Sequence, residues 1–253
     1  MAAYVTDRPG GFSEREIVDL SAVSERLSIA ADMNSQRQIA ANVLKAYLGP
    51  QTGRKVLAGQ IRRGSGEAIA AVLWLSDLRR FTQMSDQLAG ESVVGILNDL
   101  FDLQARAIVT YGGEILKFVG DGLLAIFPVA TPEEPARTAK NALAAAQEAQ
   151  AALGALRATA SLAGAPPLEI VIALHYGTVI YGNIGAADRL DFTVIGPAVN
   201  LVSRIETIAK SLDLPLIVSD DFADAYGEAL KSLGLHQLRG LDLPHELFTP
   251  LVV

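Results

Sequence analysis

Residues 68–75 read AIAAVLWL, an unbroken apolar run. A run of this length and composition suits a strand covered on both faces, so it belongs in the middle of a sheet. Asp77 stands just beyond its end, in SDLRRFT (76–82). A second aspartate, Asp121, interrupts GGEILKFVGDGLLAIF (112–127), where 114–119 and 122–127 read as a hairpin turning at Gly120-Asp121. If the hairpin neighbours the central strand, both carboxylates converge at one sheet edge. Hard divalent cations take oxygen ligands, and paired carboxylates can hold two of them against a phosphate chain. An aspartate after a strand also serves as a plain turn residue that satisfies its own backbone.

The rest of the chain alternates elements around this strand. A capping box, Ser13 with Glu16, opens a helical pattern over 13–31 with Ile17, Leu20, Val23 and Leu27 at helical spacing. A second helical pattern runs from Gln36 to Tyr47 and stops at Leu48-Gly49-Pro50, and the chain turns strand-like from Val56. Helical periodicity fills 92–109 and ends at Tyr111-Gly112-Gly113. Residues 136–160 form an alanine-rich helix read as a surface element, broken by 164–167. Two strands, 168–175 and 179–184, precede a helix over 198–212, and short strands near 216–218, 235–238 and 246–251 finish the chain. Strand, helix, hairpin, helix, strand is the α+β, ferredoxin-like βαββαβ order, here preceded by N-terminal helices and followed by extra C-terminal strands. The expected division is 1–50, helical, and 51–253, the sheet domain.

Composition removes several classes of chemistry. The 253 residues are 50% hydrophobic, enough for a full domain with an appendage. There is no cysteine, so disulfides, thiolate metal sites and a cysteine nucleophile are excluded, and three histidines are too few for a histidine-rich metal site. A formal net charge of -7 argues against broad nucleic-acid or anionic-membrane binding. No apolar run approaches the roughly 20 residues that span a bilayer, so the expectation is a cytoplasmic protein with no membrane segment.

A third segment, RLDFTVIGPAVNLVSRIE (189–206), follows the two aspartate segments. The three in this order resemble the catalytic domain of class III nucleotide cyclases, the adenylate and guanylate cyclase family, over about residues 68–250. The resemblance is carried by Asp77 with Phe81-Thr82, Lys117 four residues before Asp121, and Thr193, Asn200 and Arg204 at family spacing. It implies that Asp77, Asp121 and Leu78 hold two divalent cations, Mg2+ or Mn2+, and that the turn through Phe81 and Thr82 cradles phosphate. Lys117 and Thr193 would read the purine, Lys117 by donating to the unprotonated N1 of adenine, and Arg239 in LRG (238–240) would contact terminal phosphates. Asn200 would orient the ribose, and Arg204 would stabilise charge on the α-phosphate.

The residues also admit plainer roles. Lys117 could snorkel at a sheet edge, Thr193 could be a β-branched strand residue, Asn200 a first-turn cap, and Arg204 an ion-pair partner of Glu206 or Asp213. By period-two parity Lys117 and Asp121 lean to one sheet face. Two positions depart from the family pattern: Arg80 where glycine is usual, and Pro197 where aspartate is frequent. The implied reaction converts ATP to cyclic AMP and pyrophosphate in a homodimer whose sites draw residues from both chains. The other readings are a guanylate cyclase, a polymerase-type palm, which the acidic chain and 189–206 fit poorly, and a non-catalytic module that binds nucleotide or dimerises. Residues from Phe12-Ser13 onward also resemble the last helix of a GAF-type sensor, which implies an upstream sensor domain.

Overall fold

The computed structural model describes residues 3–131, 134–159, 168–186 and 188–251. The chain divides into two compact units, Met1–Gly59 and Gln60–Val253. In the first, α1 (Glu14–Leu48) starts at the expected capping box: the Ser13 hydroxyl accepts from the Glu16 amide, and the Glu16 carboxylate accepts from the Ser13 amide at 2.8 Å. The two helices read from the sequence are one, because Asp32-Met33-Asn34-Ser35 contains neither glycine nor proline and is polar without being a breaker. Gly49, at φ +80°, ends α1. Pro50 then opens α2 (Pro50–Leu57), where proline costs nothing because first-turn amides have no helical partner. The strand-like reading from Val56 therefore gives way to the end of a short helix. No residue of α1 is buried.

The second unit is built on one sheet. Its elements are β1 (Gly66–Leu78), α3 (Phe81–Gln87), α4 (Gly90–Thr110), β2 (Glu114–Val119), β3 (Gly122–Pro128), α5 (Pro135–Thr159), β4 (Ile170–Gly185), β5 (Leu190–Ile195), α6 (Pro197–Ser211), β6 (Leu216–Ser219), α7 (Asp220–Tyr226), β7 (Lys231–His236) and β8 (His245–Thr249). The strands lie in the order β2-β3-β1-β4-β6-β8-β7, with β5 on β4. The segment β2-β3-β1-β4 is the ferredoxin-like sheet foreseen from the sequence, with β1 antiparallel to both neighbours.

Alternate residues of β1 enter two cores. Val72 and Trp74 pack with α4, α5 and α7, whereas Ala71 and Leu73 pack with α6 and β5. That is why the run is apolar without alternation. The alanine-rich helix α5 is not a surface element: Ala139, Ala142, Ala145, Ala146 and Ala149 are all fully buried, their small side chains bringing the helix close to the sheet. The break expected at 164–167 lies outside the described residues. The two strands read across 168–184 are one, since Gly177 and Thr178 stay paired to Ala71 and Ala70. A Cβ at Gly177 would lie 2.9 Å from both Ala198 Cβ and His175 Nε2, so glycine there admits α6 rather than breaking the strand. Among the described residues no helix is long and apolar enough to cross a membrane.

Candidate active site

At the C-terminal end of β1, Ser76 donates to Gln104 Oε1 of α4 at 2.6 Å inside the core, which fixes the strand end that carries Asp77. The β2–β3 hairpin packs directly beside it. A Cβ on Gly122 would stand 2.2 Å from the Ser76 carbonyl oxygen and 3.1 Å from Asp77 Oδ1. Only a glycine lets the hairpin approach this closely, and the approach delivers Asp121 to Asp77.

Asp77 and Asp121 open onto a cavity of about 420 Å³ lined also by Leu78–Thr82, Lys210 and Asp213. Burial, and after it the negative charge of Asp77, pushes the Asp121 carboxyl up to about 6. Lys210 is ion-paired with Asp77 and with Glu206, the latter at 2.6 Å. Burial alone would lower the Lys210 ammonium, but its hydrogen bond to Asp77 and its close pairing with Glu206 outweigh it and hold the group above its ordinary value.

Two carboxylates that repel one another and already attract an ammonium suit a hard divalent cation. Among the described residues no cluster of three or more His, Cys, Asp or Glu side chains could hold a metal by itself. Two carboxylates are nevertheless the protein complement that a magnesium-type ion uses when substrate phosphates supply further oxygens.

The loop after Asp77 takes the shape that glycine would ordinarily give it. Arg80 sits at φ +58°, ψ +26°, in the left-handed region, immediately before α3. A non-glycine residue thus holds the left-handed turn at a cost of local strain. Because α3 starts at Phe81, the Phe81 and Thr82 amides belong to a first turn, where no intrahelical acceptor exists. The Arg79 amide is not available to a phosphate, since it donates to the Glu169 carbonyl at 2.6 Å. The Arg79 side chain pairs with Asp213 and donates to the Lys210 carbonyl at 3.1 Å, tying the loop to the end of α6.

Lys117 and Thr193 lie elsewhere. The β2–β3 register shifts between Ile115 and Lys117, and the Lys117 ammonium stands 3.6 Å from Asp191 Oδ2 of β5. The same-face reading from parity therefore does not carry Lys117 into the Asp77–Asp121 cavity. Thr193, two residues along β5 from Asp191, is 5% exposed, and its hydroxyl has no hydrogen-bond partner among the described residues. A buried hydroxyl left unpartnered is costly, so a ligand that bonds to it gains affinity.

Asn200 and Arg204 stand one turn apart on α6, Asn200 exposed and Arg204 half-buried. Glu206 pairs with Lys210 and Asp213 with Arg79, so neither ion pair foreseen as a plain role for Arg204 forms. A Cβ at Gly240 would be 3.5 Å from Arg204 Nη2, which brings the guanidinium to the LRG turn beside the exposed Arg239. Neither Lys117, Thr193, Asn200, Arg204 nor Arg239 lines the carboxylate cavity. Within one chain, the residues that line the carboxylate cavity are therefore a different set from Lys117, Thr193, Asn200, Arg204 and Arg239.

Sequence reasoning missed Asp191, Arg79 and Lys210. Asp191 shares a strand face with Thr193, and Lys210 follows Glu206 by one helical turn, so both were within reach of the spacing rules.

The sequence model described as the adenylate and guanylate cyclase catalytic domain matches residues 67–222. An adenylate cyclase of Anabaena cylindrica is 30% identical over 200 residues, covering 75% of this chain and 39% of its own length. An adenylate cyclase of Rhizobium meliloti is 32% identical over 144 residues, covering 57% of this chain and 21% of its own. The chain thus spans less than half the length of these curated relatives. Among solved structures, the adenylyl cyclase CyaB from P. aeruginosa superposes with TM-score 0.66 and 26% identity, covering 73% of this chain and 94% of that one. A guanylyl cyclase superposes with TM-score 0.63 and 32% identity, covering 72% and 92%.

Proposed function

The chain belongs to the adenylate and guanylate cyclase catalytic-domain family, and from that premise we propose that it is an adenylate cyclase, converting ATP to 3′,5′-cyclic AMP and pyrophosphate. The ribose 3′-hydroxyl gives up its proton to solvent and its oxygen attacks the α-phosphorus, the new Pα–O3′ bond forms as the bond to the bridging oxygen of the β-phosphate breaks, and pyrophosphate leaves. No protein nucleophile is needed. Asp77 and Asp121, with the backbone of Leu78, would hold two divalent cations, which would lower the pKa of the attacking hydroxyl and neutralise the triphosphate.

The remaining roles fall to the other residues. The Phe81 and Thr82 amides meet phosphate oxygens. Asn200 fixes the ribose, and the Arg204 guanidinium stabilises the charge that builds on the α-phosphate. Arg239 reaches the terminal phosphates. Lys117 donates to adenine N1, and the Thr193 hydroxyl accepts from the N6 amine. Guanine carries a proton at N1 and would set donor against donor at Lys117.

The observation that carries the choice of ATP is the Lys117–Asp191 pair standing by the buried, unpartnered Thr193 hydroxyl. Because the carboxylates lie apart from the purine and ribose residues within one chain, the working unit is a two-fold homodimer in which each site takes Asp77 and Asp121 from one protomer and the rest from its partner. The N-terminal helices, residues 1–50, then serve as a dimerising and signal-transmitting linker from an upstream sensor, and the domain works in the cytoplasm. The test is product formation from ATP and GTP in parallel, with Mn2+ and with Mg2+, across a protein dilution series. Cyclic AMP from ATP, with specific activity falling on dilution, is expected; preference for GTP, or no cyclic product at high concentration, would overturn the reading.

A further inference from the structure

The carboxylate cavity contains a cation supplied by the chain itself. Lys210 sits in the last turn of α6, where the helix dipole favours positive charge. Its ammonium is shared between two carboxylates of different standing: Asp77 Oδ2, at the mouth of the cavity, and Glu206 Oε1, 2.6 Å away and one turn back on the same helix. The neighbouring Arg79 cannot take this place, because its guanidinium is held by Asp213 and by the Ala209 and Lys210 carbonyls. Lys210 itself is not locked in. Its side chain is 40% exposed, and a flexible four-carbon stem lets the ammonium leave Asp77 without disturbing the helix.

We infer that Lys210 is a resident counter-cation of the catalytic carboxylates: it neutralises Asp77 in the metal-free protein, must leave Asp77 for a divalent cation to bind, and withdraws to Glu206 when it does. The inference rests on the metal role proposed above for Asp77 and Asp121. Two cations compete for one carboxylate, so the ammonium lowers the affinity of metal arriving without nucleotide. Glu206 is a second resting place that keeps the displaced charge paired instead of leaving it against the incoming metal. The buried Glu206, 8% exposed on a helix face that otherwise packs apolar side chains, has no other cation within ion-pair distance among the described residues, so Lys210 is the charge that offsets its burial.

The test is Mn2+ binding to the full chain without nucleotide, read from the electron paramagnetic resonance signal of free Mn2+. Lys210→Met should bind Mn2+ more tightly than the unaltered chain, by up to about fivefold, the range expected for removing a partly exposed ion pair. Glu206→Gln should move the other way, since Lys210 then has only Asp77 to pair with. Metal-free Lys210→Met should melt at a lower temperature than the unaltered chain and recover on addition of Mn2+. Should Lys210→Met fail to fold, Lys210→Gln and Glu206→Gln carry the same comparison. Unchanged or weaker Mn2+ affinity in the Lys210 variants, with binding still abolished by Asp77→Asn, would overturn the inference and leave the metal role intact. Mn2+ binding indifferent to Asp77→Asn would overturn both.

Discussion

The Lys117 ammonium and the Asp191 carboxylate face each other across β2 and β5 at 3.6 Å, with Thr193 two residues further along β5. Asp191 thereby positions the lysine that would donate to adenine N1, in a site where Thr193 offers a hydroxyl instead of a carboxylate. The side chains are 40% and 58% exposed, so the pair is worth no more than about 1 kcal/mol in itself. Asp191→Asn should therefore raise KM for ATP by about fivefold with little change in kcat, and narrow the preference for ATP over GTP. Lys117→Glu should lose ATP turnover and gain relative activity on GTP. Equal KM values for Asp191→Asn and the unaltered chain would remove Asp191 from purine recognition.

Arg80 occupies a left-handed conformation that costs a non-glycine residue about 1–2 kcal/mol. Glycine would relieve that strain and lose a comparable part of it to the greater freedom of the unfolded chain. Arg80→Gly should thus change unfolding free energy by less than about 1 kcal/mol, toward greater stability, and keep the loop conformation and activity. Arg80→Val puts a β-branched residue at positive φ, and should destabilise the chain and lower kcat/KM together. Denaturant melts with kinetics on the same preparations decide the point.

His175, on β4, is 3% exposed, with Nδ1 2.8 Å from the hydroxyl of Ser219, the N-cap of α7. Burial pulls its imidazole down to about 4. A histidine held neutral in the fold and free to charge when unfolded gives stability that is full above about 6.5 and is lost as pH falls toward 4, by up to about 3 kcal/mol. Asp121 runs the opposite way in the metal-free protein: its raised carboxyl favours the fold at low pH, and that contribution fades as pH rises through about 6. Comparison with His175→Gln cancels the Asp121 contribution. The variant should show a flatter loss of stability between pH 6.5 and 4, and parallel curves would exclude His175 as the source.

Residues that had to be apolar or had to turn were legible from the sequence. The 68–75 run, the hairpin at Gly120-Asp121 and the βαββαβ order followed from local chemistry, because each is fixed by neighbours within a few positions. What escaped depends on distant partners. Gly177 looks like a strand end until α6 is seen packing against it, and the alanines of α5 look like a surface until their close approach to the sheet buries them. The same holds for the site. Asp77 and Asp121 announced themselves by strand-end position, while spacing alone could pair Lys210 with Glu206 or set Asp191 beside Thr193, but could not bring them to Asp77 and Lys117, 133 and 74 residues away in sequence.

The separation of Asp77 and Asp121 from Asn200 and Arg204 within one chain yields the sharpest test of the shared-site dimer. Asp77→Ala should abolish turnover by removing a metal ligand, and Arg204→Ala by removing transition-state charge stabilisation. In a homodimer of either variant both sites are dead. In a mixed dimer, one site collects both substitutions and the other collects none. Random exchange of equal amounts makes about half of the dimers mixed, each with one of its two sites intact, so activity should return to about one quarter of the unaltered enzyme's. Size-exclusion profiles of the two variants should match that of the unaltered chain, which separates lost chemistry from lost assembly. If the mixture stays inactive while the variants still dimerise and exchange, each site is built within one chain, and the division of labour between protomers is wrong.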